Sequence, residues 1–424
     1  MNINHDEVCA MIEAKRNVLS PSYLKTFSCI ASACENSCCL GFTIRIDSET
    51  FSKYKVEDDP VIRKLFEENI YVIRSSSAKQ DYITINPTED YRCPFLTEEK
   101  LCFLQCRRGE EYLSEICASF PCITNIFNGV LEKSATLACP EAARLALLQL
   151  EGMDLIEVEE PNDTRNFVYN CLNTNDRIFQ NKPTKYLSEL REFTWRILKD
   201  RRYHLDDRVV FLGAFMKEVD RLEKAPDVDR IPDLILSYTA LFTDASAMQD
   251  ITAISVSQAS RISLFLPPTI RVILPSIESD RYLRCFSKFL EGIRFYDSTS
   301  YAQVGKCYEE AYQRYYSPFM LEHGYILENY LLNYVFMKLF PYDLNGNSVY
   351  YCYLLLAVNY ALLKMQLVGI SAYQQELNAD TAIMVIQSYT KAVEHKYPIL
   401  HNLIQVLKQS HLDSLVHIKV FVKD

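Results

Sequence analysis

Glycine is scarce, with 10 residues in 424, and no two of them lie close enough together to build a loop around a phosphate. The patterns G-x-G-x-x-G, G-x-x-x-x-G-K-[ST] and G-x-S-x-G are all absent. A Rossmann-type nucleotide site, a P-loop and a hydrolase nucleophile elbow are therefore excluded. Histidine is also rare, at 7 residues, none spaced as a metal box, and no C-x2-C pair occurs. That excludes zinc-finger and ferredoxin-like frameworks. Excess positive charge is lacking too: the formal net charge is −10, so a nucleic-acid footprint is not expected. An acidic surface tolerates a lysine-bearing partner. No basic segment leads into an apolar run at Met1-Asn2-Ile3-Asn4-His5-Asp6-Glu7, so a reducing, cytoplasmic setting is expected.

Long apolar runs are confined to one stretch, 349–363, which is uncharged back to Asn345. It is short for a span of about 20 residues and carries Asn359 at its middle. It reads as a buried core helix, with no membrane insertion.

What the chain does have is apolar content and cysteine. The composition is 49% hydrophobic, ample for a large core. Of the 15 cysteines, eleven lie between Cys9 and Cys139. The densest group is Cys34-Glu35-Asn36-Ser37-Cys38-Cys39, preceded by Cys29 and followed by Cys93, Cys102, Cys106, Cys117, Cys122 and Cys139. Thiolates are soft anionic ligands for iron and zinc, and in a reducing compartment a disulfide framework explains such a cluster poorly. The metal ligands are expected from Cys34, Cys38, Cys39, Cys93, Cys102, Cys117 and Cys139. Successive side chains diverge, so either one of Cys38 and Cys39 binds while the other packs, or two sites share the loop. Cys139 precedes a helix, whose free amides favour a thiolate. Cys106 and Cys122 read as incidental neighbours. Cys9 and Cys29 are left open. Cys171, Cys285, Cys307 and Cys352 have no ligand spacing and read as core residues.

The coarse organisation is α+β followed by α, predominantly α overall: a cysteine-rich metal-binding domain over 1–156 and a mainly helical domain over 157–424. In the first, 1–20 reads as an amphipathic lead-in. Asp47 caps a helix over 48–54, and Pro60 opens another to Asn69. Strands are expected over 70–74 and 82–85, joined by a polar connection over 75–81. A helix over 109–116 delivers Cys117, and Asn128-Gly129 turns a hairpin over 122–137. Pro140 opens a helix running to Leu150. The acidic, proline-containing stretch 157–163 reads as the linker. Beyond it, helical periodicity marks 185–200, 207–224, 301–316, 325–340, 350–368 and 379–396. Pro267-Pro268, Pro275, Pro341 and Pro398 punctuate this half.

Three blocks together resemble a known family. The first is Phe27-Ser28-Cys29, then Cys34-Glu35-x-x-Cys38-Cys39-x-Gly41 with Phe42 and Ile44-x-Ile46-Asp47. The second is Cys93-Pro94-Phe95-Leu96, Leu101-Cys102, Gly109-Glu110-x-x-Leu113-Ser114-x-x-Cys117 and Phe120-Pro121. The third is Glu132-Lys133-Ser134 with Cys139-Pro140-Glu141-Ala142-Ala143-Arg144. In order and spacing, over about 23–148, they resemble the flagellin lysine-N-methylases (FliB). The cysteine pattern alone is shared with a wider set of zinc- or iron-chelating proteins. Phe42 stands where the family usually has Trp, and Cys122 where Arg is expected. The helical half resembles the family in size and texture only.

The resemblance implies transfer of a methyl group from S-adenosylmethionine to lysine ε-amines on flagellin, with an iron–sulfur cluster, 4Fe-4S in type, on the cysteines. Zinc is the alternative metal. With no glycine-rich loop, the donor must be held another way. A cluster with an open iron position can chelate its methionine end. In-line transfer beside a purely structural metal is also compatible. Glu141 and Arg144 are the nearest polar candidates for the chemistry, and a helix-capping pair is the plain alternative. The reading from a different class is a non-catalytic metal-binding interaction or assembly protein.

Overall fold

A computed structural model describes residues 15–73, 82–162, 164–253 and 255–423. Cys9, most of the lead-in and the connection over 75–81 lie outside the described residues. The chain divides into two units. One takes the described residues up to Ala142 together with Leu155–Leu172; the other takes Ala143–Asp154 and the described residues from Asn173 onward.

The first unit is built on strands β1 (Lys15–Pro21), β2 (Ile44–Ile46), β3 (Ile70–Ile73), β4 (Tyr82–Ile85), β5 (Cys122–Phe127), β6 (Val130–Ala135), β7 (Leu155–Pro161) and β8 (Val168–Leu172). They form a five-stranded sheet in the order β7-β1-β6-β5-β8 and a three-stranded sheet in the order β2-β4-β3. The β5–β6 hairpin is as expected, with Asn128 and Gly129 both at positive φ (50° and 83°), the geometry of a type I′ turn. The end of the lead-in is not helical: Lys15–Pro21 is a strand, with Val18 and Ser20 buried.

The expected linker is also a strand. β7 pairs antiparallel with β1 from Lys15↔Pro161 to Pro21↔Leu155. Its glutamates alternate: Glu157 and Glu159 face solvent, whereas Glu160 is half-buried and accepts from Arg16 at 3.0 Å and also from Lys133. A boundary at 156/157 would cut this strand. Acidic composition looks like a linker, but period-2 spacing with every second position inward makes it a sheet edge.

The helices of this unit are α1 (Ser48–Lys55), α2 (Pro60–Asn69), α3 (Phe103–Arg108) and α4 (Glu115–Ser119); α5 (Pro140–Leu147) begins in it and passes to the second unit at Ala143. Asp47 caps α1 by accepting from the Thr50 amide at 2.8 Å, and Asp59 caps α2 ahead of Pro60. No helix spans 109–116. Gly109 sits at φ 85°, outside the helical region, so α3 stops there. A 3-10 turn over Glu110–Tyr112 follows, and Ser114 starts α4 afresh. Ile44, Ile46, Tyr54, Ile62, Phe66, Phe95 and Leu104 make one apolar core.

The second unit is helical. Helix Val349–Gln374 is long and apolar enough to cross a membrane, yet 94% of its most apolar window is buried inside the protein. It is the core helix. Lys364 on it contacts Asp206 at 2.6 Å and the Val422 carbonyl at 3.0 Å, while Tyr360 donates to the other Asp206 oxygen at 2.6 Å. Gly292 and Gly369 let two helix backbones meet: a Cβ at Gly292 would stand 1.9 Å from the Gly369 carbonyl oxygen. Cys285 and Cys352 are buried as expected, while Cys171 and Cys307 are only partly so. Pro267 and Pro268 do not punctuate; they lie inside helix Gln258–Ile273, which has two full turns before them to hold its register.

Candidate functional site

The first cysteine loop and the start of the second block are joined by backbone bonds. The Cys93 amide donates to the Cys39 carbonyl at 2.8 Å, and the Gly41 amide to the Tyr91 carbonyl at 2.7 Å. Leu40 and Arg92 form an antiparallel bridge beside them, and Leu96 bridges Cys102. Two loops that are distant in sequence are thereby held side by side. Cys39, Cys93, Cys102 and Cys117 all pack against the same apolar core.

Asp47 places Cys117. Besides capping α1, its carboxylate accepts from the Glu115 amide at 3.0 Å, pinning the start of α4. Burial raises the Asp47 carboxyl, but these amides and the Thr50 hydroxyl outweigh it and hold the group below its ordinary value. The capping role is legible in the sequence. The second role needs the fold, because residue 115 is far along the chain.

The thiols share one neighbourhood. Cys38 is close enough to Cys34, Cys102, Cys117 and Cys139 for its charge to raise the pKa of each. The thiol of Cys39 hydrogen-bonds with those of Cys38 and Cys93. All seven expected residues are thus linked through Cys38 and Cys39. Cys29 and Cys106 are exposed at the margin, each acting on one member of the group. Cys122 is elsewhere: its charged neighbours are Lys133 and Glu160. None of the fourteen described cysteines is in a disulfide.

Among the described residues, no three His, Cys, Asp or Glu side chains are positioned around a point so as to hold a metal ion. What the fold brings together is a neighbourhood of soft donors. Burial pushes the Cys117 thiol up to about 12 and the Cys139 thiol up to about 11. This corrects the expectation of a helix-stabilised Cys139 thiolate. The Glu141 and Ala142 amides do pull its pKa down, but desolvation outweighs them. Burial and the neighbouring thiols raise these groups, and Arg165 offsets that only in part at Cys117. A bound soft cation would stabilise the thiolate forms, so the donor set fits an iron or zinc centre in kind.

Arg165 stands in no recognisable spacing with the cysteines, and Lys133 enters the sequence reading only as a member of the third family block, with no role attached. Arg165 donates to the Glu110 carbonyl at 3.1 Å and the Leu113 carbonyl at 2.6 Å. Its charge also reaches Cys117 and lowers that thiol's pKa. Phe42, the aromatic of the first block, packs on Phe120, with ring centroids 6.3 Å apart.

Residues 191–421 match the family model described as the FliB lysine N-methylase C-terminal domain. The helical half therefore carries family sequence of its own, beyond size and texture. The flagellar biosynthetic protein FliU of Salmonella muenchen is 34% identical over 140 residues, 33% of this chain and 82% of that protein. A lysine-N-methylase of Salmonella choleraesuis is 22% identical over 418 residues, 95% of this chain and 98% of that protein. One from Salmonella typhimurium is 33% identical over 140 residues, 33% of this chain and 35% of that protein. No solved structure matches the chain. With more than half of its length matched by the family model, the chain belongs to the FliB lysine N-methylase family.

Proposed function

We propose that this protein transfers methyl groups from S-adenosylmethionine to lysine ε-amines of flagellin, with an iron–sulfur cluster held by cysteines of the first unit. Family membership supports the lysine methylation. The observation that carries the metal reading is that Cys39, Cys93, Cys102 and Cys117 pack on one apolar core, with the Cys93 amide on the Cys39 carbonyl, and that Cys38 neighbours Cys34, Cys39, Cys102, Cys117 and Cys139. The cluster's ligands would be drawn from those seven residues. When bound, the cluster would supply Lewis-acid chemistry toward the donor. The name of the Salmonella muenchen relative supports a flagellar substrate.

The transfer needs little covalent help from the protein. The lysine ε-ammonium loses a proton to bulk water, its nitrogen attacks the donor methyl, the N–C bond forms as the S–C bond breaks, and the thioether leaves. The chain's task is to align the two reactants and exclude water. The acidic surface suits a lysine-bearing partner.

The test is incubation of anaerobically purified protein with flagellin and methyl-labelled donor. Label in flagellin lysines, from protein that contains iron and absorbs in the visible range, is the expected result. Zinc alone, with no label transferred, would favour a metal-binding assembly protein instead.

A further inference from the structure

A cavity of about 380 Å³ lies within the first unit, lined in part by the end of the short helix α4. Cys117 of that helix belongs to the thiol group, while the next residues, Ala118 and Ser119, line the cavity. Its volume falls in the range of small-molecule sites, roughly 300–1,000 Å³. Two cations and two carboxylates mark it: Lys133 and Arg165, and on the exposed rim Glu110 and Glu111.

The cations keep capacity for an anion. Lys133 is half-buried and donates to Glu160. That carboxylate also takes Arg16 and the Asn166 amide, so two cations share a single carboxylate. An ammonium carries three donors, of which Glu160 takes one. Arg165 donates to two neutral carbonyls, and the Glu115 carboxylate feels its charge at longer range, so among the described residues no hydrogen bond or ion pair ties the guanidinium to a carboxylate. A desolvated carboxylate facing these two groups would gain charge-assisted hydrogen bonds. The rim carboxylates offer the opposite sign a short way off.

We propose that this cavity binds the α-amino-carboxylate end of the methyl donor, with Lys133 and Arg165 taking the carboxylate and Glu110 or Glu111 the ammonium. The proposal rests on the methyltransferase reading above and adds where the donor is held: by protein side chains, without need of a metal for its amino-acid end. A zwitterion matches paired charges of both signs. The site explains how a chain with no glycine-rich nucleotide loop holds such a ligand. It also puts the donor at the end of the helix that carries Cys117, with Arg165 acting on both.

The test compares two probes on the full-length protein by titration calorimetry. S-adenosylhomocysteine has the amino-acid end; methylthioadenosine shares the adenosine and sulfur but lacks it. The wild type should prefer the first. Lys133→Met and Arg165→Met should each reduce that preference by about ten- to a hundredfold, the scale of a charged hydrogen bond, and leave methylthioadenosine binding unchanged. Lys133→Arg should keep most of it. Glu111→Gln, on an exposed rim where folding is not at stake, should weaken S-adenosylhomocysteine alone. Variants that keep the wild-type preference, or folded variants that lose both probes equally, would overturn the cavity assignment while the function stands. A wild type that binds neither probe and transfers no label would overturn both.

Discussion

The Cys93 amide donates to the Cys39 carbonyl at 2.8 Å, and the thiols of the same two residues share a hydrogen bond. The main-chain bond holds the two cysteine blocks together whatever atom the side chains carry. Substitution of sulfur in this group should therefore alter chemistry more than architecture.

Cys38 gives the sharpest case, since it neighbours Cys34, Cys102, Cys117 and Cys139. Cys38→Ser should remove most bound metal and methyl transfer and leave the far-ultraviolet circular dichroism unchanged. Cys122→Ser, whose charged neighbours are Lys133 and Glu160, should keep its metal. Elemental analysis of the two proteins purified side by side decides it. Equal metal in both would remove Cys38 from the ligand set.

Cys139 combines two roles that substitution can separate. Its sulfur faces the Glu141 and Ala142 amides at the start of α5 and lies beside Cys34 and Cys38. Cys139→Ser supplies a better cap but a poor soft ligand. Cys139→Ala supplies neither, and should be less stable than the serine variant by about 1 kcal/mol, the usual worth of an N-cap. Both should lose metal. A serine variant with a full metal complement would make Cys139 a packing residue.

Glu57 sets a pH dependence. It is 2% exposed, and burial alone would raise its carboxyl. Arg108 at 2.6 Å and the Asp59 amide at 2.8 Å outweigh burial and bring the group down from 4.5 to about 2. A carboxyl lowered on folding stabilises above its unfolded pKa, and the contribution is lost as pH falls through the folded value. The urea midpoint of the first unit, followed by near-ultraviolet circular dichroism, should fall between pH 4.5 and 2. Glu57→Gln should lower the midpoint at pH 7 and flatten that acid limb. An unchanged limb would assign the acid sensitivity to other carboxylates.

In the second unit, Lys364 and Asp206 form an ion pair with side chains 1% and 5% exposed. Lys364→Met strands the carboxylate among apolar helices, with Tyr360 and His204 as its remaining partners. The cost should be about 3–5 kcal/mol, as for breaking one side of a buried pair. Adding Asp206→Asn should recover much of it. Thermal midpoints of the single and double variants test the coupling; additive losses would show that the two residues act independently.

Local signals were legible wherever the physics is local. Asp47 caps its helix because a side-chain oxygen reaches an amide three residues on, and Pro60 opens the next because its fixed φ suits a first turn. Asn128-Gly129 turns a hairpin because both positions tolerate positive φ. The apolar run reads as a core helix from its short uncharged stretch, its tyrosines and Asn359 at its middle; the helix proves longer, Val349–Gln374, and is buried inside the protein. The cysteine blocks announced themselves by residue type and density. The misreadings share a cause as well. Composition points to a linker where alternation makes Leu155–Pro161 a strand, and the helix expected from Gly109 fails because the backbone there turns out of the helical region.

The sequence by itself determined the donor chemistry, the helix starts, the hairpin and the family resemblance, since these depend on residues within a few positions of one another. Only the tertiary structure decided which residues meet. Asp47 pins α4, Glu160 gathers Arg16 and Lys133, Arg165 acts on Cys117 and lines a cavity, and Cys122 parts from the other thiols. Those encounters come from sheet pairings such as β1 with β7, whose register is set by which side chains can be buried together. Burial then reverses the outcome a helix terminus suggests for Cys139, because desolvating a thiolate costs more than two amides return.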